Sequence, residues 1–166
     1  MVLLEEDLQV SSVEDRIAGF RAAVREHDGV EKTIVRVPTR RRLASALPWG
    51  PSDAYRIARR LIRKLARGTA IIVGSDYFAL GVYRALLEAG RTIPDDVAVM
   101  GYGDHPFAAY LEPPLSSVHL PSEEVGATAV DFLLRQVSRE TSAAGPQKVC
   151  LDASLVVRSS TARRLN

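Results

Sequence analysis

Cysteine is almost missing from this chain. Cys150 stands alone among 166 residues, which excludes an internal disulfide and leaves no cysteine set for a metal. Flanked by Val149 and Leu151, it is expected to pack as a small buried hydrophobe. Aromatic residues are sparse at 6%, with a single tryptophan, Trp49, so each carries weight as a packing or stacking group. No apolar run reaches the roughly 18 residues that a membrane helix needs, and no secretory leader is visible. Both observations favour the cytoplasm. A net charge of only +2 gives no bulk signal for nucleic acid. Enzyme signatures are missing too: there is no G-x-S-x-G, no G-x-x-x-x-G-K-[ST] and no H-E-x-x-H. No cofactor is implied. Internal repeats and low-complexity tracts are lacking.

What the chain does contain is alternation. Val2–Leu4, Thr33–Val37, Ala70–Val73 and Val97–Gly101 read as strands, and a helical pattern lies between each pair. Ser11 or Ser12 is placed to cap the first helix, Ser52 or Asp53 the second, and Ser75 or Asp76 the third. Gly29, Gly68 and Gly90 follow as stops. Ser116–His119 and Leu155–Val157 are further strand segments, with a helix opening at Pro121 or Ser122 between them. Arg56, Arg59, Arg60, Arg63, Lys64 and Arg67 line one helix, while Arg40, Arg41 and Arg42 form a basic loop. Their spacing fits a solvated helix face rather than a DNA-binding patch. Strand–helix alternation of this kind predicts an α/β fold, an open and mostly parallel sheet flanked by helices.

Ligands of such sheets bind beyond the carboxyl ends of the strands. That rule gathers Arg16, Trp49, Ser75, Asp76, Asp104 and His105 on one rim. A cation, an indole, small polar groups and an imidazole suit a sugar, a nucleoside or a similar polyol. Each has a plainer role. Asp76 at a strand-to-helix junction is an N-cap by default, and Ser75 caps equally well. Trp49, between Pro48 and Pro51, reads as a loop staple or as a stacking platform. Arg16 reads as a surface residue or as a donor fork. Adjacent Asp104 and His105 invite an acid/base reading, but no nucleophile, metal set or phosphate loop accompanies them. His119 reads as a strand-end packing residue.

The residues also resemble a known family. Asp15-Arg16-Ile17-Ala18-Gly19-Phe20 is similar to the D-R-x-x-G-F of the lactose/galactose-repressor family of bacterial transcription regulators. Ser75-Asp76-Tyr77-Phe78-Ala79-Leu80-Gly81 resembles its N-D-x-x-A-x-G. Ile93-Pro94-Asp95-Asp96-Val97-Ala98-Val99-Met100-Gly101-Tyr102 resembles its I-P-x-D-V-x-V-x-G-[FY]. Pro113-Pro114-Leu115-Ser116-Ser117-Val118 and Leu155-Val156-Val157-Arg158-Ser159-Ser160-Thr161 resemble P-P-L-T-T-V and L-V-x-R-x-S-T. Five ordered blocks over essentially the whole chain make the resemblance specific.

The resemblance implies the later part of an effector-sensing core with the periplasmic-binding-protein architecture, dimeric and cytoplasmic. The implied partner is a sugar or nucleoside-like effector. Operator DNA would be bound through an N-terminal helix-turn-helix outside this chain; members of the family are repressors or activators, and repression is the output expected here. The chain opens on Met1-Val2-Leu3-Leu4, a strand already under way, so most of the N-terminal lobe is expected upstream. Residues 1–117 plus 154–160 would form the C-terminal lobe. Residues 118–153 would be a crossover and a helix that belong to the other lobe, leaving Val125, Ala129 and Phe132 uncovered here. By resemblance, Arg16 matches the effector-holding arginine and Trp49 a stacking aromatic. Ser75 stands for the usual asparagine and Gly103 for the usual first aspartate, with Asp104 as the second. These departures imply an unusual effector, more apolar or phosphorylated, or loss of effector control. A transport-type periplasmic sugar receptor and a small α/β enzyme using Asp104 and His105 are the competing readings.

Overall fold

The computed structural model describes residues 1–38, 50–137 and 148–162. Short aliphatic runs form β1 (Val2–Glu6), β2 (Thr33–Val37), β3 (Thr69–Val73), β4 (Val97–Gly103), β5 (Ser116–His119) and β6 (Ser154–Val156). Amphipathic stretches form α1 (Ser11–Arg25), α2 (Pro51–Ile62), α3 (Asp76–Glu88) and α4 (Ser122–Val137). The strands lie in one sheet of order β2-β1-β3-β4-β5-β6. All neighbours are parallel except β5 and β6. The returning chain therefore closes the sheet with one antiparallel edge strand, a common addition to a parallel α/β sheet.

Two cores sandwich the sheet. On one side α1 places Val13, Ile17, Phe20 and Val24 against Leu3 of β1. On the other, Ala54, Ala58 and Ile62 of α2 and Phe78, Val82 and Leu86 of α3 pack with the inward residues of β1, β3 and β4. Gly81 lets α2 and α3 approach: a Cβ there would sit 2.2 Å from the Pro51 carbonyl oxygen. The basic residues Arg56, Arg59, Arg60 and Arg63 all lie on the exposed face of α2 or just beyond it, as a solvated face requires.

Two of the three expected helix starts differ in detail, and the third is as expected. Ser11 and Ser12 lie inside α1, whose N-cap is Val10 without a side-chain cap bond. Pro51 opens α2 behind Gly50, using its fixed φ at the first helical position, so neither Ser52 nor Asp53 caps it. Ser75 does cap α3, accepting from the Tyr77 amide at 3.3 Å.

The chain leaves the sheet after His119 and returns at Ser154, with α4 in between. None of the side chains of α4 is buried. Val125 is 52% exposed, Ala129 is exposed and Phe132 only half-buried, matching the expectation of an uncovered helix. Cys150 departs from its expected role: it is a free and exposed thiol, because the strand it precedes begins only at Ser154.

Candidate functional site

Strand order reverses between β1 and β3, because β2 lies on one side of β1 and β3 on the other. A crevice opens at such a switch point, outside the carboxyl ends of the strands. Here the end of β1 supplies Glu5, which is fully buried. Its carboxylate grips Arg16 of α1 with two bonds, Nε to Oε2 and Nη2 to Oε1, both 2.9 Å. The Glu6 amide also donates to Glu5 Oε1 at 3.0 Å. The seat is tight: a Cβ at Gly74, just past β3, would come within 2.1 Å of Oε1. Glycine at 74 is what admits the carboxylate.

Arg16 lies over the Tyr102 ring of β4, 4.7 Å from its centroid, a cation–π arrangement. The hydrogen bonds to Glu5 push the guanidinium pKa above its ordinary value, against the cost of burial. Glu6, next in line, has its pKa raised, first by burial and then by the nearby Glu5, with Arg16 partly offsetting both. Sequence reasoning misses Glu5 altogether. A glutamate at a strand end reads as the start of a loop, and only the pairing of β1 with β3 brings Gly74 beside it.

Asp76 forms the second centre. It is fully buried but does not cap its helix. Its Oδ1 accepts the Ser117 hydroxyl at 2.7 Å, and its Oδ2 accepts the His105 amide at 2.8 Å. The His105 ring nitrogen Nδ1 lies 3.4 Å from the same oxygen. Gly101 makes room, since a Cβ there would fall 2.0 Å from Oδ1. Asp76 thus ties the β3 exit to the β4 exit and to β5. His105 stacks with Phe107, and Tyr77 meets both rings edge-on or tilted, with centroids 4.8 to 5.6 Å apart. The sequence places His105 and Phe107 together after β4; Tyr77 of α3, which meets both, is the ring it does not point to.

Asp104 forms a third, linked centre. Its φ is +50° and that of Gly103 is +120°. The latter is a backbone state that favours glycine, which accounts for glycine where the family pattern has aspartate. Ser117 Oγ accepts from the Asp104 amide at 3.1 Å. The Asp104 carboxylate contacts the Arg158 guanidinium at 2.8 Å and His119 Nδ1 at 3.2 Å. Asp104 thus lies in a charge cluster with Arg158 and His119, although its buried Oδ1 makes no hydrogen bond within the described residues, and His119 is its exposed partner rather than a packing residue. A general-acid role for Asp104 with His105 finds no geometric support, because the two side chains face different partners. Of the expected site residues, Arg16, Ser75, Asp76, Asp104 and His105 gather along the ends of β1, β3 and β4. Trp49 lies outside the described residues.

A separate open groove of about 750 Å³ runs between α4 and residues 148–153. It is lined by Leu120, Val125, Phe132, Val149 and Leu151, and Tyr102 is its link to the rim. Among the described residues, no cluster of histidine, cysteine and carboxylate side chains could hold a metal ion, and no helix is long and apolar enough to cross a membrane.

A braced arginine, a buried aspartate and a three-ring wall at the strand ends of a mostly parallel sheet define an α/β lobe. The periplasmic binding protein-like domain matches residues 1–161, and the chain belongs to that family. Within it, the chain is similar to regulators of the lactose-repressor type. It is 32% identical to the ribose operon repressor of Escherichia coli (strain K12) over 127 residues, 76% of this chain and 36% of that repressor. A LacI family transcriptional regulator from Enterococcus faecium, solved with bound ribose, superposes with a TM-score of 0.77 at 26% identity, covering 97% of this chain and 56% of the other. The Lac repressor dimer bound to operator and the anti-inducer ONPF gives 0.77 at 26% identity, covering 97% and 52%. The chain therefore spans between about a third and just over half of these relatives. They are transcription regulators, not transport receptors.

Proposed function

We propose that this chain is the effector-sensing and dimerising part of a cytoplasmic, DNA-binding repressor, and not an enzyme. Residues 1–117 plus 154–160 form its ligand-binding lobe, and residues 118–153 belong with a second lobe that covers α4. The observation that carries the reading is the braced Arg16 at the switch point of a sheet that overlays regulator cores along nearly its whole length. Arg16, Ser75, Asp76, Asp104, His105 and Trp49 are the residues assigned to the effector site. Arg16 donates to ligand hydroxyls, and the Tyr77–His105–Phe107 wall offers an apolar face to a sugar or base ring. Asp76 and Asp104 hold the loops that carry these groups.

Effector binding would act by shifting the population of dimer conformations that differ in operator affinity. Titration calorimetry of the chain against free pentoses, hexoses and nucleosides tests the first step. Saturable binding that disappears in Arg16→Ala supports the reading. Binding that survives unchanged in that variant overturns the site. The second step is tested in the parent protein, where the same ligand must change operator affinity. Chemical turnover of the ligand, abolished by Asp104→Asn, would overturn the assignment as a non-enzyme.

A further inference from the structure

The geometry points to Glu5 as the residue that sets the charge of the ligand: it neutralises Arg16 from within and reserves the crevice for uncharged, hydroxyl-rich molecules. This deepens the proposed function and rests on it for the location of the site. An arginine free at a binding rim is a ready partner for carboxylate or phosphate, which it grips through two parallel N–H bonds. Here those two parallel bonds are already made, to Glu5 at 2.9 Å each. The Glu5 carboxylate is fully buried and accepts a third bond from the Glu6 amide, so it is satisfied in place rather than waiting for a ligand. The close seat at Gly74 holds it there.

An arginine has five N–H groups, and those not used by Glu5 can donate to hydroxyl or carbonyl oxygens without any charge to offer. The surroundings reinforce this. Glu6 is buried beside Glu5 and Asp76 is fully buried further along the rim. The other described arginines near the strand ends are also matched: Arg36 with Glu14 at 2.7 Å and Arg158 with Asp104 at 2.8 Å. An anionic ligand would bring its charge against Glu5, Glu6 and Asp76 with no unmatched arginine among these to receive it. The phosphorylated effector that the sequence departures allowed is therefore disfavoured, and the neutral one retained.

The test compares inorganic phosphate and ribose 5-phosphate with free ribose, on the full chain and on Glu5→Gln. Glutamine keeps the shape and removes the charge. The native chain should show no saturable binding of phosphate or ribose 5-phosphate. Glu5→Gln should bind both, tighter by about 10- to 100-fold, as expected when a like charge is removed from a contact. That gain should vanish in Glu5→Gln combined with Arg16→Gln. A purely structural Glu5 would behave differently: Glu5→Gln would melt lower and gain nothing for phosphate. Saturable, Arg16-dependent phosphate binding by the native chain, or no gain in Glu5→Gln, overturns the proposal. Should Glu5→Gln fail to fold, Gly74→Ala supplies the second variant: its Cβ would push the Glu5 carboxylate off Arg16, and because the charge stays nearby a smaller gain of the same sign is expected, its absence overturning the proposal. If no neutral sugar or nucleoside binds while the phosphate arm behaves as stated, the effector reading fails and the charge selection by Glu5 stands.

Discussion

Helices α3 and α4 are similar in length and both carry an apolar stripe, yet they end up in opposite environments. In α3, Phe78, Ala79, Val82 and Leu86 are completely buried. In α4, Val130, Leu133, Leu134 and Val137 are all more than half exposed. The difference does not come from hydrophobicity of the individual turns. It comes from connectivity: α3 links two adjacent parallel strands and must cross the sheet face between them, while α4 lies on an excursion that leaves at β5 and returns at β6. Amphipathic periodicity shows that a helix has a face to cover, and topology decides whether this chain covers it.

Four measurements break or sharpen that contrast. Phe78→Ala removes a fully buried ring from α3 and should cost about 3–5 kcal/mol. Phe132→Ala on α4 should cost within about 0.5 kcal/mol, as for surface substitutions. Chemical denaturation of the two variants side by side checks this, and equal losses would show α4 to be packed in solution. Glycine gives the next test. Gly81→Ala drives a Cβ into the α2 backbone and should destabilise by about 1–3 kcal/mol, as overpacking does. Gly126→Ala meets nothing within 4 Å and should stabilise by about 0.5–1 kcal/mol through helix propensity. Opposite shifts of the melting temperature are the expected result.

Ser117→Ala leaves the buried Asp76 oxygen without its 2.7 Å donor. A loss of about 1–3 kcal/mol is expected, with Asp76→Asn partly compensating in the double variant. The smallest effect is that of pH. Asp96 accepts from the Thr92 amide and hydroxyl at 2.9 and 3.0 Å, and these bonds, led by the amide and helped by Arg67, hold its pKa below the ordinary value. Its contribution is present above the ordinary carboxylate range and is lost as pH falls through its lowered folded-state value. Glu6 has the opposite sign: with its pKa raised, the stability it gives is present below the ordinary range and lost as pH rises through the folded-state value. Melting curves across the acidic range should show the Asp96 component removed by Asp96→Asn and the Glu6 component removed by Glu6→Gln.

Much of this architecture was legible in the residues. The aliphatic runs at β1 to β4 and the amphipathic segments between them leave little freedom once right-handed crossovers are required. The family-like blocks carry Arg16, Ser75 and Asp76, and the strand-end rule adds Asp104; the structure has Arg16 on α1 and the other three just past β3 and β4. What was hidden depends on contacts between distant segments. Asp76 looks like a cap because caps are local, whereas its partner Ser117 lies 41 residues away. Glu5 looks like loop because its cradle, Gly74, is supplied by a neighbouring strand. Cys150 looks buried because its two neighbours are apolar, and neighbours in sequence do not define what packs on a segment that precedes its strand.

The antiparallel pairing of β5 with β6 has a consequence of a different kind. His119 sits opposite Ser154, and Ser160 locks the return into the sheet through the Val99 carbonyl at 2.6 Å and the Ser116 amide at 2.8 Å. The two ends of the excursion are thus clamped side by side whatever lies between them. Closing a loop whose ends are already fixed costs only about 0.6 kcal/mol for each doubling of its length. The length of the excursion between residues 120 and 153 can therefore change at little cost to the sheet itself, so what constrains it is whatever packs on α4 and not the strands it leaves and rejoins.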